Sequence, residues 1–271
     1  MKKHIYQEGI DWESEGYFID TRLSSDVPSS ADPDANLWRL WLDVFEQAKR
    51  GRFTQVPKLL PAYRQGRRSW LLGEACLYLL GDAGGPDCLQ AVIQEMQNCS
   101  SYTKIQLCIP LAGWGSLSIV PLLASVFEAH SEVEDADLIP EQLSLLLEED
   151  HTLKDASQTE SAARYRELVM ARYSELKQQF GTDQVPVLSG EPFSLESLAR
   201  RMLRQISAGR RLDPELRHKF EAMTGIDCSD FYKSGFQPLT TAAILEDFLA
   251  SPQRAKYQEG VRYFFGHRLS G

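Results

Sequence analysis

No stretch of this sequence approaches the roughly 18 uninterrupted apolar residues of a membrane-spanning helix, so no membrane helix is expected. Its start, "MKKHIYQEGIDWESEGYF", carries two lysines but turns acidic before the apolar core of about 7–15 residues that marks a signal peptide. Cysteines are few: Cys76, Cys88, Cys99, Cys108 and Cys228 form no CxxC pair, are odd in number and fall mostly among apolar helical neighbours. They read as small core residues, not metal ligands or disulfides. The expected compartment is the cytoplasm.

Chemical signatures are equally scarce. The five histidines, His4, His130, His151, His218 and His267, never come within five residues of one another, and no HExxH or Cys/His cluster exists. No G-x-S-x-G occurs, and Ser174-x-x-Lys177 lies inside a long polar helix without its companion motifs. The glycine-rich turn "GDAGG" (81–85) invites comparison with a phosphate loop. Such loops need a lysine and a hydroxyl, or a preceding strand, whereas here a helix precedes the turn and the nearest charges are Asp82 and Asp87. We therefore expect a hinge between helices, and neither an enzyme nor a holder of cofactor or metal.

What the sequence has in quantity is apolar and acidic material. Its 271 residues are 43% hydrophobic and 25% charged, enough for one large or two modest cores, with a formal net charge of −9. That charge opposes nucleic acid and anionic membranes, since either would be approached against net repulsion, and it favours a basic partner. No alternating strand pattern exceeds four residues, so an all-α fold is expected.

Three regions follow from composition. Residues 1–36 hold eight acidic against three basic side chains, with Ser and Pro, and read as an irregular acidic arm. Residues 37–181 read as a helical repeat domain. There Val56, Leu59, Leu60 and Tyr63 set a template that recurs as Leu89, Val92, Ile93, Met96 and again as Ile119, Leu122, Leu123, Val126, spaced 33 and then 30 residues apart. Each is preceded by another apolar helix (37–49, 68–80, 103–113), so the unit is a helical hairpin that must stack on its neighbours to bury both faces. "GDAGGPDCLQAVI", "QVPKLLPAY" and "IVPLLASVF" resemble HEAT-like repeats of a short variety, which predicts a stacked solenoid. Tetratricopeptide and ankyrin patterns fit less well, because the glycine after Trp70 comes one place early and "TPLH" is absent. "TDQVPVLSGEP" then reads as a linker, and residues 182–271 as a C-terminal helical subdomain packed on the repeats. Its helix starts include Ser194, Asp213-Pro214 and Thr240/Thr241, with Gly225 as a stop.

Two charge clusters stand out. Residues 131–153 carry Glu132, Glu134, Asp135, Asp137, Glu141, Glu148, Glu149 and Asp150 and no Lys or Arg, interleaved with leucines. These eight are the candidate partner-binding residues, since complementary charge speeds and orients association with a basic protein. Opposite in sign, Arg200, Arg201, Arg204, Arg210, Arg211, Arg217 and Lys219 cluster without the aromatic platforms of a nucleic-acid site; of these, Arg200, Arg201 and Arg204 lie on one side of a helix and are expected to pair internally with the acidic segment 131–153. The tail "VRYFFGHR" (261–268), with Tyr263, Phe264, Phe265 and His267, reads mainly as packing against the core, with a second partner contact as the alternative.

"TGIDCSDFY", "FQPLTTAAILEDFL", "YQEGVRYFFGHRLSG", "WGSLSIVPLL" and "DADLIPEQLSLLLE" resemble bacterial polymorphic-toxin immunity proteins, specifically immunity family 47, over about residues 65–270. That resemblance implies a cytoplasmic antidote, monomeric in our reading, that binds one cognate toxin and blocks it sterically. It names no contact residues. The competing expectations are a helical-repeat adaptor or regulatory scaffold for a host protein and, more distantly, an accessory protein like the HEAT-like bilin lyases.

Overall fold

The computed structural model describes residue 17 and residues 35–65, 70–150, 152–210, 212–232 and 235–269. Most of the acidic arm expected over 1–36, and Arg211 of the basic cluster, lie outside the described residues. Twelve α-helices run through the described chain: α1 (Ala35–Ala48), α2 (Leu59–Gln65), α3 (Trp70–Ala83), α4 (Pro86–Asn98), α5 (Ser101–Trp114), α6 (Val120–His130), α7 (Leu138–Leu147), α8 (Thr152–Thr159), α9 (Ala162–Phe180), α10 (Leu195–Ser207), α11 (Pro214–Thr224) and α12 (Pro238–Ala250). Four two-residue strands make two hairpins, β1 (Val187–Leu188) with β2 (Glu191–Pro192) and β3 (Tyr263–Phe264) with β4 (His267–Arg268). The protein is helical in class.

Helix boundaries follow local chemistry. The hydroxyls of Ser100, Ser161 and Ser194 accept from the backbone N–H groups of Thr103, Arg164 and Ser197, satisfying donors that the first turns of α5, α9 and α10 leave open. Asp213 does the same for Glu215 ahead of Pro214, and α11 stops at Gly225, whose φ of 70° closes it.

Packing divides the chain into two compact units, one made from the chain before Pro86 together with the chain after Phe193, the other from Pro86–Phe193. In the first unit Trp41 of α1 is fully buried, stacks on Phe45 at 5.1 Å and donates its Nε1–H to the Ala75 carbonyl of α3 at 2.9 Å. α2 packs along α3, while α11 and β3 pack against α3 from the C-terminal part of the chain. The tail is no helix: Tyr263 and Phe264 are buried on β3, and the backbone N–H groups of Phe265 and Gly266 donate to Ala222 and Met223 at the end of α11. Phe265 and Gly266 both have positive φ, 47° and 76°, the condition of the two-residue turn that matches strand twist.

In the second unit α5 lies beside α7 and α6 beside α9, with α5–α6 and α6–α7 also in contact. The stretch read as a linker is tied down here: Val187 N–H donates to Gly115 at 2.8 Å, Ser189 to Leu145 at 2.9 Å and Gly190 to Leu146 at 2.9 Å. The chain leaves the unit directly after that stretch, at 193/194. Gly190 holds φ at 74°, and a Cβ there would stand 2.7 Å from the Leu147 carbonyl oxygen. Gly190→Ala is therefore expected to cost about 1–3 kcal/mol of stability, read as a lower denaturant midpoint with unchanged slope.

Candidate partner-binding surface

The acidic segment is shaped by the turn between α6 and α7. After His130 the backbone closes through Val133 N–H to His130, Ala136 N–H to Val133 and Leu138 N–H to Asp135, which forces Asp135 to a left-handed φ of 63°. Asp and Asn tolerate that conformation better than most residues. Its carboxylate accepts from Gln106 Nε2 at 3.2 Å, fastening the turn to α5. One helical turn earlier on α5, Tyr102 is 42% exposed. Partial burial first, then the negative charges of Asp135 and Glu134, push its phenol above the ordinary tyrosine value.

The structure sorts the eight predicted acids into two clusters. Glu132, Glu134 and Asp137 are exposed and Asp135 half-buried at the α6–α7 turn. Glu149 and Asp150 are exposed at the far end of α7, and its ten residues separate the two groups by about 15 Å. Glu141 and Glu148 are engaged within the unit. Glu141 pairs with Lys154 of α8 at 2.6 Å. Glu148 Oε1 accepts from Ser144 Oγ at 2.8 Å and from Leu153 N–H at 2.7 Å, closing the α7–α8 connection, and burial pushes its carboxyl upward. Asp150 accepts from Thr152 N–H at 3.3 Å, which pulls its carboxyl below the usual range. The α6–α7 turn is thus the more available of the two clusters.

Sequence reasoning passed over Tyr102. The signal was present: with Ser100 as cap, the buried positions Ile105, Cys108 and Ala112 lie on one side of α5, which leaves Tyr102, Gln106 and Ile109 on another.

The first unit holds a largely buried group of ionisable side chains. Asp82, in the last turn of α3, accepts from the Tyr17 hydroxyl at 2.6 Å and lies 2.8 Å from His218 Nε2. Glu221 takes the backbone N–H of Tyr17, that of Cys228 at 3.1 Å and the Arg217 guanidinium at 3.0 Å. Arg262 donates to the carbonyls of Gly81, Asp82 and Gly84. The glycine-rich turn is therefore a helix C-terminus capped by a guanidinium, with its acid held from the side. A helix C-terminus carries partial negative charge and attracts cations, so it opposes a phosphate. Burial, then Asp82, raises the Tyr17 phenol well above its ordinary value, and burial brings the half-buried Lys219 down to about 8.

Within the basic cluster, Arg200 and Arg217 pair along their own helices, with Glu196 and Glu221, and not with the acidic segment. Arg201 and Arg217 are buried, Arg217 pairing with Glu221. Arg200 lies 2.8 Å from Glu196, which Arg254 also approaches at 3.4 Å. Among the described residues no three His, Cys, Asp or Glu side chains gather as a metal site, and no helix is long and apolar enough to cross a membrane. Compared with protein-family models, curated proteins and solved structures, the chain matches none.

Proposed function

We propose that this protein is a cytoplasmic immunity protein that binds one cognate bacterial toxin domain, basic in character, and neutralises it by steric occlusion without catalysis of its own. The observation that carries the proposal is the exposed group of carboxylates at the α6–α7 turn, presented on a helical scaffold. The side-by-side placement of α5 with α7 and of α6 with α9 is what stacked helical hairpins produce, and it supports a short HEAT-like arrangement for this part of the chain. The resemblance of phrases such as "TGIDCSDFY" and "DADLIPEQLSLLLE" to immunity family 47 is the second ground for the reading, and no family-model match adds to it. A net charge of −9 adds long-range attraction for a cationic toxin and raises its association rate.

The test is a titration of the product of the gene immediately upstream against wild type and the triple variant Glu134→Gln, Asp135→Asn, Asp137→Asn. Asparagine keeps the left-handed turn accessible and an acceptor for Gln106, so the variant removes charge and leaves shape. Binding is expected to weaken by about tenfold or more, mostly through slower association at low salt. Unchanged affinity removes the α6–α7 turn as the contact. A chain that instead retrieves a host protein, and never the upstream product, is an adaptor.

A further inference from the structure

Among the described residues two large apolar side chains are prominently exposed, Tyr102 at 42% and Leu239 at 86%. Leu239 opens α12 with nothing beside it to define an occupant. Tyr102 has a defined setting: Gln106, one turn on, is bonded to Asp135 at 3.2 Å, which holds Asp135 and its neighbour Glu134 against this side of α5.

An exposed aromatic ring backed by carboxylates recognises a particular chemistry. The ring face is the negative part of the aromatic quadrupole and attracts a cation laid over it. Carboxylates at its edge accept the N–H groups of the same cation, and a planar guanidinium satisfies both demands at once, stacking flat while its fork reaches the acids. An ammonium is a point charge with a tighter water shell and uses the ring less well. A tyrosine offers wide contact area at low entropic cost, which is why it recurs among the few side chains that dominate interfaces. The outward side of α5 at Tyr102 therefore has charge complementarity to one occupant, an arginine-bearing segment of a basic protein.

We infer that Tyr102 is the anchor of the partner surface, receiving an arginine side chain of the partner over its ring while Glu134 and Asp135 hold the guanidinium edge. The inference rests on the proposed function for the identity of the partner but not for the chemistry of the surface, so the two can be tested separately. Fluorescein-labelled nona-arginine and nona-lysine, equal in length and charge, are titrated at low salt against the full-length wild type, Tyr102→Phe and Tyr102→Leu, with thermal melts as the folding control. Wild type is expected to bind nona-arginine more tightly than nona-lysine. Tyr102→Phe keeps that preference, and Tyr102→Leu lowers nona-arginine affinity about threefold to fivefold and removes it. The inference is overturned if wild type binds neither peptide, or if Tyr102→Leu melts like wild type and still prefers nona-arginine. Binding of nona-arginine through Tyr102 by a chain that ignores the upstream gene product supports the inference and rejects the immunity function. Tight binding of that product unaffected by Tyr102→Leu does the reverse.

Discussion

Replacing Arg217 with methionine is expected to destabilise the protein by about 3–5 kcal/mol, because it strands the Glu221 carboxylate in a site with no exposed surface. Both side chains of the pair are fully buried, four residues apart on α11, and the carboxylate also accepts the backbone N–H groups of Tyr17 and Cys228. Burial already raises the Glu221 carboxyl, and Arg217 is the leading influence that holds it down. Without the guanidinium the folded-state value climbs further. A carboxyl raised in the fold contributes stability below its unfolded value and loses it as pH rises through the folded value. The gap between Arg217→Met and wild type should thus widen as pH rises from mildly acid to neutral in urea unfolding. The double variant Arg217→Met, Glu221→Leu is expected to lose less than the two single losses combined, since neither charge is then left alone. Equal losses at mildly acid and at neutral pH would show that Glu221 does not titrate with the fold.

Trp41→Ala is expected to cost a similar amount, about 3–5 kcal/mol, by a different route. The indole is completely buried between Trp38 and Phe45, and its N–H is the bond that fixes α1 to the Ala75 carbonyl of α3. Alanine leaves a cavity and an acceptor without its donor. Trp41→Phe retains most of the packing and loses the bond, so it should cost about 1–3 kcal/mol. Denaturant midpoints of the two variants separate cavity from hydrogen bond; equal costs would assign the whole effect to the N–H.

The helical periodicity was legible wherever one face is buried and the other is polar. Val56, Leu59, Leu60 and Tyr63 are all buried, as are Ile119, Leu123 and Val126, whereas Leu122 and, in the middle template, Leu89 and Ile93 are only half-buried beside the buried Val92 and Met96. Ser194, Asp213-Pro214 and Gly225 serve as caps because their side chains or backbone freedom act locally. What depends on distant contacts was not legible. Arg217 reads only as one member of a basic cluster, and the fold alone reveals that it is fully buried against Glu221. Repeated hairpins look alike in sequence, so nothing in their spacing says that the chain before Pro86 packs with the chain after Phe193. The β3–β4 hairpin escaped for the opposite reason: its strands are only two residues long, too short for any alternation to register.

The acidic surface was half legible. All eight carboxylates lie in one stretch of sequence, but the ten residues of α7 part them, and two of the eight, Glu141 and Glu148, serve the unit's own packing. Charge counting cannot separate a carboxylate that caps a turn from one that waits for a partner. Tyr102 supplies what the count omitted, an aromatic side chain exposed beside the available cluster.

Growth rescue tests the central claim most directly. Cells producing the product of the gene immediately upstream are expected to stop growing, to recover when this protein is co-produced, and to yield the two proteins as a complex. The Glu134, Asp135, Asp137 triple variant should rescue poorly at equal abundance. Continued arrest in the presence of well-folded wild-type protein, with no complex recovered, would contradict the immunity function.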